Sequence, residues 1–282
     1  MYRARQALQQ GASESPKLPL LDGLEPLYNL GGTGVFPRRG NMMMIAGRGG
    51  NGKSSFVMNL VQRWGEDTLY FSADMSRSQA TMKLLSHKAQ VPFSQVEEGV
   101  NGPEAAKWLS MLDDSKISFS FRNPIRFEDV VSELNAYVTL YNKYPDMLVF
   151  DNLANFEGAE SDYSEQFFAL SVLSELASET GATTIVLHHA KDTSWDAKDR
   201  PYYPPSRNEV KGGHFEFPEM VLSVALNNSV IFNGAADFHV AALKNRQGFQ
   251  DPTANIYAKL RVNSETNTFF APDGEDYFTN GA

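Results

Sequence analysis

The 282-residue chain contains no cysteine. That excludes disulfides, thiolate metal centres and a cysteine nucleophile, and it suits a reducing compartment such as the cytosol. No stretch approaches the ~18 consecutive apolar residues of a membrane-spanning helix, and the opening MYRARQALQQ lacks the apolar core of a secretion signal. A cytoplasmic protein with no membrane partner is therefore expected. Positive charge is scarce as well: 25 Lys and Arg stand against 34 Asp and Glu, a formal net charge of −9. This excludes a globally basic coat for nucleic acid, although a ring or groove that gathers its few cations on one surface stays open. Internal repeats and low-complexity tracts are missing, which removes solenoid and linker architectures.

What is present begins with a glycine-rich stretch. Gly47-Arg48-Gly49-Gly50-Asn51-Gly52-Lys53-Ser54 fits G-x-x-x-x-G-K-S/T at every position. A short apolar strand pattern, Met42 to Ile45, precedes it, and a helical run begins near Lys53. That strand–loop–helix context is the one a phosphate-binding P-loop requires. Glycines let successive backbone N–H groups turn inward around phosphate oxygens, and the helix N-terminus adds partial positive charge. The expected nucleoside triphosphate site runs from Gly47 to Ser55. In it Lys53 reaches the β and γ phosphates and the Ser54 hydroxyl ligates Mg²⁺.

The rest of the chain alternates strand and helix patterns. After the P-loop helix (about Lys53–Trp64) come a strand at Thr68–Ser72, a helix at Ser76–Leu85 with Ser76 as N-cap, and short helices with turns over 91–115. An alternating strand at Lys116–Arg122, a helix at Phe127–Tyr141 and a strand at Asp146–Asp151 follow. A helix at Glu165–Thr180 is expected to bury Phe167, Leu170, Leu173 and Leu176 and to stop near Gly181, before a strand at Thr183–His189. Residues 190–217 form a long polar segment of the kind that is usually functional. Four β patterns then close the chain: Met220–Leu226, Phe238–Leu243, Ile256–Val262 and Thr268–Phe270. The order indicates one α/β domain, residues 17–282, with a mainly parallel central sheet, flanking helices and C-terminal hairpins, behind a flexible arm at 1–16.

Several acids and cations fall at strand ends, where ligands of open α/β sheets bind. Met147-Leu-Val-Phe-Asp151 has the Walker B form, placing Asp151 to hold Mg²⁺. Hydrolysis also needs a group to orient or deprotonate water. The residue after Asp151 is Asn152, so the better candidate is Asp74, at the end of the strand after the P-loop, with Glu157 as a weaker alternative. His188-His189 ends a strand where a neutral imidazole could touch a γ-phosphate; a structural role is the competing reading. Lys244-Asn245-Arg246 ends another strand, with both cations on one face. They suit either charge stabilisation at a neighbour's γ-phosphate or a solvated hairpin tip.

Taken together these stretches resemble the RecA-like motor domain of DnaB-type hexameric replicative helicases, including compact phage and plasmid types. The resemblance spans about residues 20 to 270. Gly23-Leu-Glu-Pro and Arg39-Gly-Asn-Met-Met are similar to the lead-in to the family's P-loop. Phe71-Ser-Ala-Asp-Met75 is similar to its F-S-L-E-M, whose acid is the catalytic base; Asp74 is one methylene shorter. Leu187-His-His-Ala-Lys191 resembles its sensor motif, Arg200-Pro201 and Phe215-Glu-Phe-Pro-Glu219 the loop and strand that follow, and Ala242-Leu-Lys-Asn-Arg-Gln-Gly248 its A-K-N-R-x-G. The resemblance implies an ATPase using ATP and Mg²⁺, with Asp74, Lys53 and His189 in one subunit and Lys244 and Arg246 acting on the next subunit's nucleotide. It implies a homo-oligomer, a hexameric ring, on single-stranded DNA, in the host cytoplasm if a phage encodes it. DNA would meet loops 152–164 and 190–214, the latter carrying Lys191, Lys198, Arg200, Arg207 and Lys211 among Trp195, Tyr202 and Tyr203. Asp192, Asp196, Asp199 and Glu209 dilute that charge.

The expected function is thus a ring-forming, ATP-dependent helicase or translocase. Two alternatives remain at this point. One is a metal-dependent, structure-specific DNA nuclease on the same scaffold, using Glu157, Glu160, Asp162, Glu165 and the histidine pair. The other is a RecA-type filament-forming recombinase.

Overall fold

The computed structural model describes residues 16–192, 202–272 and 278–280. The expected N-terminal arm lies outside these residues apart from Pro16.

Seven α-helices and ten strands build the described chain. The first half holds α1 (Glu25–Asn29), β1 (Met42–Gly47), α2 (Lys53–Trp64), β2 (Thr68–Ser72), α3 (Arg77–Ala89), α4 (Phe93–Asn101), α5 (Ala105–Ser110), β3 (Ile117–Ser120) and α6 (Phe127–Tyr141). Then come β4 (Met147–Asp151), α7 (Tyr163–Thr180), β5 (Thr183–His189), β6 (Met220–Phe232), β7 (Ala235–Asn245), β8 (Ile256–Asn263), β9 (Thr268–Phe270) and β10 (Phe278–Asn280). They form one sheet in the order β10-β8-β7-β6-β1-β5-β4-β2-β3, with β9 on β8. From β3 to β6 every pairing is parallel, and from β6 onward every pairing is antiparallel.

Strand alternation decides what each face buries. On β1, Met43 and Ile45 point to the side holding Phe56, Val57, Leu60 and Val61 of α2. Met42, Met44 and Ala46 point to the other side, against Val130, Leu134 and Tyr137 of α6 and Ala169, Leu170 and Leu173 of α7. A strand buried on both faces reads as a continuous apolar run, which is why MMMI and MLVF are legible as strands.

Helix ends follow local chemistry. Ser76 accepts from the Gln79 amide N–H at 3.2 Å while the Gln79 side chain accepts from Ser76 N–H at 3.1 Å, a reciprocal capping box that starts α3 beside Asp74. Gly181, at φ +71, ends α7.

Three expectations are corrected. Phe167 is 44% exposed rather than buried. The sheet-facing stripe of α7 is Gln166, Ala169, Leu170, Leu173 and Ala177, and Phe167 lies roughly 100° around the helix from its centre. There it packs edge-on to Phe217, with ring centroids 4.8 Å apart. Second, β6 and β7 are longer than read. The expected strand ended at Leu226, but a register shift between Asn227 and Ile231 absorbs the polar residues that follow, and Asn233-Gly234, both at positive φ, makes the tight hairpin turn. Third, β7 stops at Asn245, so Arg246 lies just past the strand.

Candidate functional site

In a parallel sheet every strand delivers its last residue to the same edge. The register sets Gly47 opposite His189 and Ser72 opposite Asp151. The P-loop, Asp74, Asp151 and His189 therefore gather at one rim. Gly50 and Gly52 turn the loop at φ +74 and +75. Gly47 approaches so closely that an added Cβ would sit 3.0 Å from the Val224 carbonyl oxygen and 3.2 Å from Lys53 Cγ.

Lys53 is buried, its ammonium donating to the carbonyls of Gly47 and Arg48, each at 3.0 Å. Burial lowers its pKa, while the carboxylates of Asp151 and Asp74 act in the opposite direction. Asp151 is 2% exposed. Burial raises its pKa, against hydrogen bonds from the Ser54 side chain and from Tyr70, whose hydroxyl donates to Asp151 Oδ2 at 3.0 Å. Ser54 and Asp151 together offer one hydroxyl and one carboxylate, hard oxygen donors that leave positions for phosphate oxygens and water. That donor set fits Mg²⁺ brought in with a nucleotide. Ser55 accepts from Lys83 of α3 at 3.3 Å, and Lys83 is a half-buried lysine whose pKa burial lowers. The helical spacing of α3 does not reveal that Lys83 reaches back to the P-loop.

Asp74 borders a cleft of about 650 Å³ shared with Asn152, Asn155, Glu157, His189 and Lys211. His189 is half-buried, and burial, with the nearby Lys53 and Lys211 charges, lowers its pKa. His188 points elsewhere: it is buried, its Nε2 pairs with the Lys211 carbonyl at 2.8 Å, and burial takes its pKa down to about 4. Of the two histidines only His189 faces the cleft.

A histidine that stays neutral in the fold but protonates when unfolded makes stability depend on pH. His188 and His87 both drop from 6.5 to about 4, chiefly by burial. Between those values the unfolded chain binds more protons, so stability falls as pH is lowered from about 6.5 to about 4, and these two groups contribute no slope above that range. Urea midpoints from pH 4.5 to 8 measure this, and His87→Gln should flatten part of the acid limb. An unchanged limb in that variant would remove His87 from the account.

Arg48 is tied down. Its guanidinium donates to the Tyr203 carbonyl at 3.0 Å and to Glu209 Oε1 at 2.7 Å. Glu209 Oε2 accepts from the Ser206 amide N–H and hydroxyl at 2.8 and 2.7 Å. Glu209 is thus a P-loop partner, a role its reading as a diluting loop charge missed. Of the loop cations, Lys191 donates to the Asn208 carbonyl at 3.2 Å, Arg207 lies 4.5 Å over the Phe215 ring, and Lys211 borders the cleft. Lys198 and Arg200 lie outside the described residues.

Lys244 and Arg246 stand at the opposite rim. The Arg246 amide donates to the Glu219 carbonyl, and the Glu219 amide donates to the Met42 carbonyl, at the start of β1. Five residue steps of strand, roughly 17 Å, separate that level from Gly47. Lys244 donates to the carbonyls of Phe215 and Glu216, and Arg246 donates to Glu219 Oε1 at 2.6 Å and the Glu216 carbonyl at 2.9 Å. Of the acids considered for a nuclease, Glu157 and Glu160 border the same cleft as His189, but the set does not converge. Glu157 pairs with Arg126 at 2.9 Å, Asp162 caps α7, and among the described residues no three His, Asp or Glu side chains converge as a metal-binding group. Among the described residues no helix is long and apolar enough to cross a membrane.

Comparison with known proteins follows the same lines. The chain is 27% identical over 274 residues to the Gene 65 protein of Mycobacterium phage L5, covering 94% of this chain and 97% of that one. It is 30% identical over 239 residues to the Gene 65 protein of Mycobacterium phage D29, covering 80% and 97%. Its fold matches the ATPase domain of G40P with a TM-score of 0.71 at 13% identity, covering 95% of this chain and 96% of that one. It also matches a DnaB-like replicative helicase, solved in work on its interactions with primase, with a TM-score of 0.72 at 14% identity, covering 90% of this chain. The chain spans 63% of that helicase, less than two thirds of its length. At these identities the structures establish the fold, and the expected RecA-like architecture is borne out. The sequence profile of the family described as "DnaB-like helicase C terminal domain" matches residues 33–198, from the lead-in through β5. The chain belongs to that DnaB-like helicase family.

Proposed function

We propose that the chain is the ATP-hydrolysing motor of a ring-shaped helicase or translocase on single-stranded DNA, with each nucleotide shared between two copies. The observation that carries this reading is the split of the candidate machinery between two rims of one sheet. Lys53, Ser54, Asp74, Asp151 and His189 occupy one rim, and Lys244 and Arg246 lie about 17 Å away at the other. Head-to-tail packing of copies sets one rim against the other, and such contacts close into rings when the rotation permits.

In this reading the backbone N–H groups of Gly49 to Ser55 cradle the phosphates of ATP, and Lys53 turns from the Gly47 and Arg48 carbonyls to the β and γ oxygens. Ser54 and Asp151 hold Mg²⁺, which neutralises charge on the β and γ phosphates. Asp74 accepts a hydrogen bond from the attacking water, and the neutral His189 meets the γ-phosphate. Lys244 and Arg246 of the adjacent copy stabilise charge as the phosphoryl group departs. Lys191, Arg207 and Lys211, with Lys198 and Arg200, neutralise DNA phosphates.

The test is ATP turnover with and without single-stranded DNA, on samples whose oligomeric state is known. Turnover that rises several-fold with DNA and depends on assembly is expected. DNA-independent turnover by a monomer would reject the reading, and electron microscopy with ATP separates closed rings from helical filaments.

A further inference from the structure

Aspartate is a short side chain for a water-positioning base at the mouth of a strand. Its carboxylate sits one methylene nearer the backbone than that of glutamate, so its oxygens reach an attacking water over a narrower range of orientations. In this chain neighbouring groups hold one orientation. The Ala73 amide donates to the Asp151 carbonyl at 3.0 Å, tying the backbone before Asp74 to the end of β4. The turn after β4 then supplies two carboxamides. Asn152 Nδ2 donates to Asp74 Oδ2 at 2.6 Å, and Asn155 Nδ2 donates to Asp74 Oδ1 at 2.9 Å.

The orientation of both amides follows from the turn itself. Asn152 Oδ1 accepts from the Ala154 amide at 2.8 Å, and Asn155 Oδ1 accepts from the Asn152 amide at 3.2 Å. With each oxygen occupied by a backbone N–H, each NH₂ group must face outward, and both face Asp74. Each carboxylate oxygen keeps a further acceptor position, and Asp74 lines a cleft that also holds His189 and Lys211.

We propose that Asn152 and Asn155 are positioning residues for hydrolysis: a pair of amide donors that hold the Asp74 carboxylate in the orientation from which it receives the attacking water. The inference rests on the reading of Asp74 as the water-orienting acid. It gives the turn directly after the Mg²⁺ ligand Asp151 a second duty, because one short segment sets both the metal ligand and the acid.

Two substitutions at the more exposed partner separate this duty from simple support of the turn. Asn155→Ala removes both the acceptor that closes the turn and the donor to Asp74. Asn155→Asp keeps the acceptor and replaces the donor with a carboxylate facing a carboxylate. Both variants should keep the wild-type circular dichroism and nucleotide affinity and lose kcat by about 100-fold, the scale of a small misplacement at a reacting centre. In an Asp74→Ala background neither should cause further loss. If Asn155→Asp retains kcat while Asn155→Ala loses it, the turn matters and the donor does not, which overturns the proposal. Wild-type kcat in both, with Asp74→Ala inactive, overturns it too while leaving the role of Asp74 intact. Loss of fold or of nucleotide affinity in both variants assigns the pair to structure and likewise overturns it. Full turnover by Asp74→Ala itself would instead reject the underlying reading of the acid.

Discussion

Arg246→Ala should lower ATP turnover by about 1,000-fold or more while changing nucleotide affinity by less than about two-fold, the pattern of a cation that acts only as charge develops in the transition state. The fold should survive the change. The Arg246 side chain is 50% exposed, and its ion pair with Glu219 lies at the surface, where such pairs contribute about 1 kcal/mol or less. Its own P-loop is out of reach across the strands, so in the proposed ring Arg246 would act on a different copy's site. That has a direct check. Mixing Arg246→Ala subunits with Lys53→Ala subunits should restore part of the turnover, because some interfaces then pair an intact P-loop with an intact Arg246. Normal hydrolysis by the single variant, or no recovery in the mixture, would remove the shared-site arrangement.

Lys53→Ala should weaken nucleotide binding on the order of 100-fold, since charge-assisted hydrogen bonds to phosphate contribute about 1.5–3 kcal/mol each, and turnover should fall to background. Burial lowers the Lys53 pKa in the free protein, and a phosphate bound beside it would oppose that shift by favouring the charged amine. Lys53→Arg should not rescue binding. A planar guanidinium needs a wider space than the surroundings of Lys53, itself only 8% exposed, offer a compact ammonium. Titration with a fluorescent nucleotide gives both affinities, and near-normal binding by Lys53→Ala would displace Lys53 from the phosphate site.

Much of this arrangement could be read from the residues because it depends on local rules. A P-loop is recognisable from glycine spacing because backbone geometry alone shapes it, and Asp151 because a doubly buried strand shows as an apolar run that ends in an acid. The Ser76 cap is a four-residue pattern, Ser76 to Gln79. Features that depend on two distant segments meeting were hidden. Nothing in the helical pattern of α3 announces that Lys83 meets Ser55, and nothing in a polar loop singles out Glu209 as the partner of Arg48. At Asn152 the sequence shows only that no acid follows Asp151; its amide donates to Asp74 once the turn is folded. Phe167 misled because residue type outweighed angular position on α7. The sequence profile of the family ends at residue 198, before Lys244 and Arg246, so their assignment rests on motif likeness and on their place at the far rim.

The Arg48 anchor has a mechanical consequence. Arg48 belongs to the phosphate loop, while Tyr203 and Glu209 belong to the segment that follows β5. A buried guanidinium cannot be left without partners cheaply, so neither segment shifts without the other following or the pair breaking. The two therefore behave as a single lever with its pivot at residue 48. In the proposed motor a load on Tyr203 and Glu209 would be a load on the phosphate loop, and by thermodynamic reciprocity a ligand of that stretch would change the affinity for ATP by the factor by which ATP changes the affinity for that ligand.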